Sequence, residues 1–203
     1  MDDSDGDDPL AWMDGLTVSG CERCPDLVDS RSRIVDGTGP ADADLLFVGE
    51  APGANEDEQG EPFVGRSGDV LDDTLRDVGL DRADVRITNC VRCRPPDNRD
   101  PRKAELTNCR PYLDAEIQQV DPELLITLGK VPAEHLLGRD VAVTGEAGEV
   151  YDVEVDDSIQ RLLVCVHPAA TLYDPSQQET FEHALRKAAE YAGDSGQSTL
   201  GEF

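Results

Sequence analysis

"ADLLFVGEAPGANEDEQGEPFVGRSG", residues 43–68, sets a short apolar run directly against a loop of glycine, proline and acid. The run, Leu45 to Val48, shows no polar alternation, so both of its faces ask for burial, as in the strands of a parallel sheet. Three more runs repeat the pattern: "DVRITNCV" at 84–91, "ELLITLG" at 123–129 and "RLLVCVHP" at 161–168. Helical segments separate them. "DVLDDTLRDVGL" at 69–80 places Val70, Leu71, Leu75 and Val78 on one helical face. "RKAELTNCRPYLDAEIQQV" at 102–120 reads as a helix kinked or interrupted near Pro111. "VPAEHLLG" at 131–138 is a short helix, and "PSQQETFEHALRKAAEYAG" at 175–193 a long one stopped by Gly193. "VAVTGEAGEVYDVEV" at 141–155 reads as a small hairpin turning around Gly145 to Gly148. Four apolar strands alternating with helices predict an α/β fold: a three-layer α/β/α sandwich on a mostly parallel four-stranded sheet.

In such a sheet the ligand sits outside the C-terminal strand ends. Those ends are "GEAPG", "NCVRC", "LGK" and "HPAA", and the chemistry is expected there. The organisation is simple: an acidic leader over residues 1–10, a folded domain over 11–193, and a polar tail over 194–203.

The chain has 203 residues with 44 Asp+Glu against 18 Lys+Arg, a net charge of −26. The acids are spread through the sequence, while the Val/Leu/Ile blocks argue against a disordered acidic protein. The pattern points to a folded domain adapted to high salt, where carboxylates keep the surface hydrated and repulsion is screened. No apolar run approaches the ~20 residues of a membrane span, and the start "MDDSDGDD" is unlike a signal peptide. A soluble, cytoplasmic, nucleoid-associated monomer is the expectation. One segment departs from the background: Arg92 to Arg110 holds six basic residues and three acidic ones, locally +3. Arg92, Arg94, Arg99, Arg102, Lys103 and Arg110 are therefore candidates for contacts to a phosphate backbone.

Six cysteines in an intracellular chain point to metal or core rather than disulfides. Cys21 and Cys24 form a CxxC before the first strand, and Cys93 and Cys109 lie downstream with fifteen residues between them. Four thiolates from separate loops can close around zinc or a [4Fe–4S] cluster, and spacing does not choose between them. Cys90 and Cys165 fall within apolar strands and read as core. In the loop after the first strand, Phe63 is a lone aromatic among Glu50, Asn55, Glu56, Asp57, Glu58 and Glu61. So polar a setting gives Phe63 a use for a flat partner, and a nucleobase is one. Asn89 ends the second strand, where its amide offers a donor and an acceptor side by side; a turn-forming role is the alternative. His167 ends the fourth strand beside a proline-fixed turn.

In order along the chain, "GEAPGANEDEQGEPFVGRSG", "ITNCVRCRPPDNRDP", "CRPYL" and "HPAA" resemble the motifs of family 4 uracil-DNA glycosylases, the iron–sulfur type of archaea and thermophilic bacteria. The resemblance runs from about Cys21 to Tyr191. "HPAA" has alanine where serine is common, and Cys90 stands where an apolar residue is usual. The resemblance implies a [4Fe–4S] cluster on Cys21, Cys24, Cys93 and Cys109, and hydrolysis of the N-glycosidic bond of deoxyuridine. Phe63 would stack on the flipped uracil, and Asn89 would read its N3–H and O4 edge. His167 would donate to O2, where negative charge develops. The related family 1 enzymes carry an aspartate where this chain has Ala51. Glu50 and Glu56 are then the carboxylates left to polarise water or support the sugar cation, and backbone N–H groups near Glu50 and Ala51 could hold the base. An iron–sulfur or zinc DNA-binding module without enzymatic activity is the alternative, although a pure electron carrier needs neither the Phe63 loop nor a basic face. At the end of the chain, Gln197, Leu200 and Phe203 follow a Q-x-x-h-x-x-a pattern. It resembles the peptide by which repair proteins dock on the DNA sliding clamp, with one aromatic where two are usual.

Overall fold

The computed structural model describes residues 10–194. In chain order the strands are β1 (Met13–Asp14), β2 (Thr17–Val18), β3 (Leu45–Gly49), β4 (Arg86–Asn89), β5 (Leu124–Leu128), β6 (Val150–Val155) and β7 (Ser158–Cys165). The helices are α1 (Pro25–Ser30), α2 (Ala54–Gln59), α3 (Arg66–Asp77), α4 (Lys103–Val120), α5 (Lys130–Leu137), α6 (Pro168–Thr171) and α7 (Ser176–Asp194). The main sheet has the order β4-β3-β5-β7-β6.

β3, β4, β5 and β7 pair in parallel, as the four apolar runs predict. Period-two alternation then divides their side chains between two cores. Leu45, Phe47, Ile126 and Leu163 pack with Leu71 and Leu75 of α3 and with Phe181, Leu185 and Ala188 of α7. Leu46, Val48, Leu125 and Val164 pack on the other face with Leu113 and Ile117 of α4 and Ala133 and Leu136 of α5. Helices on both faces make the three expected layers. Cys90 and Cys165 are fully buried, one in each core.

Two details differ from the sequence reading. The hairpin partner of β6 is β7, paired antiparallel from Val150↔Leu163 to Val155↔Ser158, so β6 adds a fifth strand at the sheet edge. The turn falls at Asp156–Asp157, with Asp156 at φ 48°. The glycines at 145–148 lie instead in a loop gathered by Glu146, whose carboxylate accepts from Arg139, the Ala142 N–H and the Tyr151 hydroxyl. Helix α4 runs through Pro111 as one element, because its flanking turns are held by burial of Tyr112, Leu113, Ile117 and Val120.

The order β4-β3-β5 places the switch point of the sheet beside β3. The chain leaves β3 toward α3 on one face and leaves β5 toward α5 on the other, opening a crevice at their carboxyl ends. Among the described residues no helix is long and apolar enough to cross a membrane. The leader lies almost wholly, and the tail residues Gln197, Leu200 and Phe203 entirely, outside the described residues.

Candidate active site and cysteine cavity

Beyond the carboxyl ends of β3, β4 and β7 lies a cavity of about 200 Å³, lined by Glu50, Ala51, Gly53, Glu56, Phe63, Ser67, Asn89 and His167. Pockets for drug-sized ligands run to roughly 300–1,000 Å³, so this smaller space suits a single flat ring. The β3–β4 ladder continues past the strand ends through Cys90 N–H to Gly49 O (2.9 Å) and Val91 N–H to Glu50 O (3.1 Å). That pairing holds Glu50 and Asn89 side by side. A Cβ on Gly49 would lie 2.4 Å from Asn89 Oδ1 and 2.5 Å from Phe63 Cε2, so glycine here is what lets the amide and the ring close on one space.

Phe63 sits in the left-handed region at φ 53°, a conformation that costs a non-glycine residue about 1–3 kcal/mol. Its surroundings hold it there. Arg82 donates to the carbonyls of Pro62 and Phe63 and pairs with Asp72 at 3.0 Å. Gly68 meets the same turn so closely that a Cβ would stand 1.9 Å from Phe63 O. The ring ends with its centroid 5.8 Å from that of His167, tilted by 32°.

His167 caps α6 by accepting the Ala169 N–H at Nδ1 (3.1 Å). A nitrogen that accepts is unprotonated, so the neutral ring carries its proton on Nε2 as a donor. Burial lowers the histidine's pKa, against the opposing pull of Glu56, and keeps this neutral tautomer at physiological pH. Glu50 is held protonated to higher pH than an ordinary carboxyl: burial first, then the neighbouring Asp100 carboxylate and its hydrogen bond, push its pKa up to about 7. Glu56 differs. One oxygen accepts the Gly53 N–H (3.1 Å), the other the N–H groups of Val64 (3.0 Å) and Gly65 (3.2 Å). It ties the two arms of the loop together.

Cys21, Cys24, Cys93 and Cys109 all line a second cavity. Ala51 packs against its wall as well as lining the first, so one loop separates the two spaces. Arg31 Nη1 donates to Cys93 Sγ (2.9 Å) and Nη2 to the Cys21 carbonyl (2.8 Å). Asn108 Nδ2 lies 3.4 Å from Cys24 Sγ. Burial raises the thiols of Cys24, Cys93 and Cys109. Among the described residues no three His, Cys, Asp or Glu side chains converge on a single metal-ion position. Asp57, 3% exposed, joins the two regions: its carboxylate accepts the backbone N–H groups of Ser32 (2.8 Å) and Arg33 (3.3 Å), next to Arg31.

The basic segment is less open than its sequence suggests. Arg92 is 2% exposed and donates to Asp36 (2.6 Å), Glu116 (2.8 Å) and the carbonyls of Leu16 and Tyr112. It belongs to a buried network in which Glu116 also receives Arg86 Nε and the Thr88 hydroxyl, so it cannot reach a phosphate. Arg99 forks onto Glu105, and Arg110 pairs with Asp114 and caps the His135 carbonyl. Arg102 is exposed and meets Asp26. Arg94, half-buried, donates to Asn98, and Lys103 is exposed. Arg94, Arg102 and Lys103 are the members that face solvent. Sequence reasoning missed Arg82, Asp57 and Arg31, whose partners lie far along the chain, and Asp100, whose position after "NR" gives no sign that it faces Glu50.

The model of the Uracil DNA glycosylase superfamily matches residues 37–189. The type-4 uracil-DNA glycosylase of Archaeoglobus fulgidus is 37% identical over 180 residues, 87% of this chain and 90% of the relative. That of Sulfurisphaera tokodaii is 38% identical, covering 86% of this chain and 81% of the relative. The Saccharolobus solfataricus enzyme is 39% identical, covering 85% and 82%. A more distant likeness, 32% identity over 84% of this chain, extends to a type-5 uracil-DNA glycosylase of Mycobacterium leprae. With motif order, sheet topology and overall similarity in agreement, the chain belongs to the uracil DNA glycosylase superfamily, among its type-4 members.

Proposed function

We propose that this protein hydrolyses the N-glycosidic bond of deoxyuridine in DNA, releasing uracil and leaving an abasic site as the first step of base excision repair. The observation that carries the reading is the one-ring cavity, where Phe63, Asn89, His167 and Glu50 meet. A target base must leave the stack to enter it, which is cheaper from a U·G mispair than from a U·A pair. Phe63 provides a rigid face for stacking. Asn89, 3% exposed, presents a carbonyl for N3–H and an amide N–H for O4, a pattern cytosine does not complement. His167 Nε2–H donates to O2, so the electron pair leaving C1′ gathers on a base oxygen that already has a donor. Glu50, ionised, orients water or faces the sugar as positive charge develops there. Glu56, with both oxygens occupied by backbone N–H groups, acts through the loop it braces. The solvent-facing members of the basic segment, half-buried Arg94 and exposed Arg102 and Lys103, would meet the DNA backbone.

The residues of the second cavity fit a [4Fe–4S] cluster: four cysteines, donors on the sulfurs of Cys24, Cys93 and Cys109, and an apolar floor of Leu27 and Val91. Bound there, the cluster would cross-link the CxxC segment to "CVRC" and to α4. It would supply structure next to the base pocket. The acidic surface is read as adaptation to high salt, and Gln197, Leu200 and Phe203 as a peptide for the sliding clamp. A pull-down on the cognate clamp, with full-length protein and a version ending at Gly196, tests that tail; equal retention refutes it. The glycosylase is tested by incubating cluster-loaded protein with a labelled uracil-containing strand, then cleaving abasic sites with alkali. Scission at the uracil position is expected. An uncut strand with intact protein would overturn the reading.

A further inference from the structure

Tyr112 is 1% exposed, and its Oη is buried without a hydrogen-bond partner. A buried hydroxyl left unpaired costs about 1–3 kcal/mol, so native structures rarely keep one without a reason. Tyr112 lines the same cavity as Cys21, whose thiol lies close enough to act on its hydroxyl. The other three cysteines of the cavity each have one donor. Asn108 Nδ2 approaches Cys24 Sγ at 3.4 Å, and Arg31 Nη1 meets Cys93 Sγ at 2.9 Å. Cys109 receives the backbone N–H of Arg92. Among the described residues no hydrogen bond to the Cys21 sulfur stands beside these three, and the Tyr112 hydroxyl, on the same cavity wall, has a proton to give.

The mounting of these donors is stiff. Arg23, inside the CxxC, lies with its guanidinium 5.2 Å from the Tyr112 ring centroid and 5.3 Å from that of Trp12. The same side chain donates to Asn108 O, and Asn108 Nδ2 returns a bond to Arg23 O, each at 3.2 Å. The ring of Tyr112 and the amide of Asn108 are thus clamped to the loop that carries Cys21 and Cys24.

We propose that the Tyr112 hydroxyl is the donor reserved for the Cys21 thiolate, completing a set of one hydrogen-bond donor for each of four cluster cysteines. The inference rests on the cluster reading above. As a positioning residue Tyr112 acts on the cluster, not on the base. A donor to a thiolate favours the more negative, reduced cluster and resists departure of the sulfur from iron. The unloaded protein, by contrast, carries the hydroxyl unpaired.

The two states therefore predict opposite effects of Tyr112→Phe, which keeps the ring and its stack on Arg23. Wild type and variant are reconstituted anaerobically, and iron, sulfide and visible absorbance are measured per chain. With the cluster in place, the variant should bleach in air about 10-fold faster, the lower end of the ~10–100-fold typical of outer-shell partners. Its midpoint potential should fall. Stripped of iron, it should melt no lower than stripped wild type, because an unpaired hydroxyl is gone. Asn108→Ala should also bleach faster, and serves if Tyr112→Phe does not load. Equal bleaching rates and potentials in loaded wild type and Tyr112→Phe would overturn the proposal, as would normal bleaching of Asn108→Ala where only that variant loads. Wild type without iron and sulfide would overturn the cluster reading itself.

Discussion

Replacing Asp100 by asparagine should move the pH dependence of catalysis without touching the base. Glu50 titrates at about 7 because it is buried and because Asp100 stands against it. Burial is the larger cause and survives the substitution, so the pKa should fall by only about one unit, the scale of a single neighbouring charge. If Glu50 works ionised, single-turnover cleavage rises with pH through its pKa. At pH 6 a group of pKa about 7 is roughly 9% ionised, and one of pKa about 6 is roughly 50% ionised. Asp100→Asn should therefore cleave about five-fold faster than wild type at pH 6 and equally at pH 8. The assay is single-turnover cleavage of a uracil-containing strand at fixed high salt, with excess protein, from pH 5.5 to 8.5. Glu50→Gln should lose the limb altogether, with a rate lowered by ~10²–10⁴-fold. A wild-type profile flat between pH 6 and 8, or a limb that Asp100→Asn leaves in place, would refute the reasoning. The same raised pKa has a stability consequence of opposite sense. The folded carboxyl holds its proton above the unfolded value of 4.5, so the contribution is present at low pH and is lost as pH rises through about 7.

His167→Ala should lower single-turnover cleavage by ~10²–10³-fold, the size of one lost oxyanion-type donor, while Asn89→Asp should lose selectivity for uracil because a carboxylate cannot donate to O4; unchanged rates or selectivity on matched strands would remove these residues from their roles. Gly68→Ala places a methyl 1.9 Å from Phe63 O, so the turn must move and uracil binding, followed by calorimetric titration, should weaken by about 10-fold or more, roughly the cost of a displaced stacking face. DNA affinity should fall only shallowly with salt, set by the three solvent-facing cations Arg94, Arg102 and Lys103, and a slope equivalent to about eight or more phosphate contacts would contradict that surface.

The layers of the fold were legible because each parallel strand is a continuous apolar run, and burial on both faces leaves it no other composition. The edge hairpin was not. Glycines at 145 and 148 carry the usual turn signal, yet the turn is made by Asp156 and Asp157, since acidic residues are so frequent here that two more raise no flag. That Glu50, Asn89 and His167 would share one space was legible, because a strand end fixes where each residue stands, and all three line the same cavity. The basic face was overread. Its net charge was counted along the chain, whereas Arg92 is neutralised by Asp36 and Glu116 and Arg110 by Asp114, carboxylates that lie outside the segment. Ion pairing is decided in space, and a local tally cannot see it.

Helix α2 has a consequence for how the molecule opens. Its neighbouring residues Glu56 and Asp57 hold amides on opposite sides: Gly53, Val64 and Gly65 around the base cavity, Ser32 and Arg33 beside the cysteines. A helix of six residues has little stability of its own, so it keeps its place through these bonds. Release of either carboxylate frees the other. In hydrogen exchange the five amides should then behave as one cooperative unit, gaining and losing protection together although they lie in three separate stretches of chain.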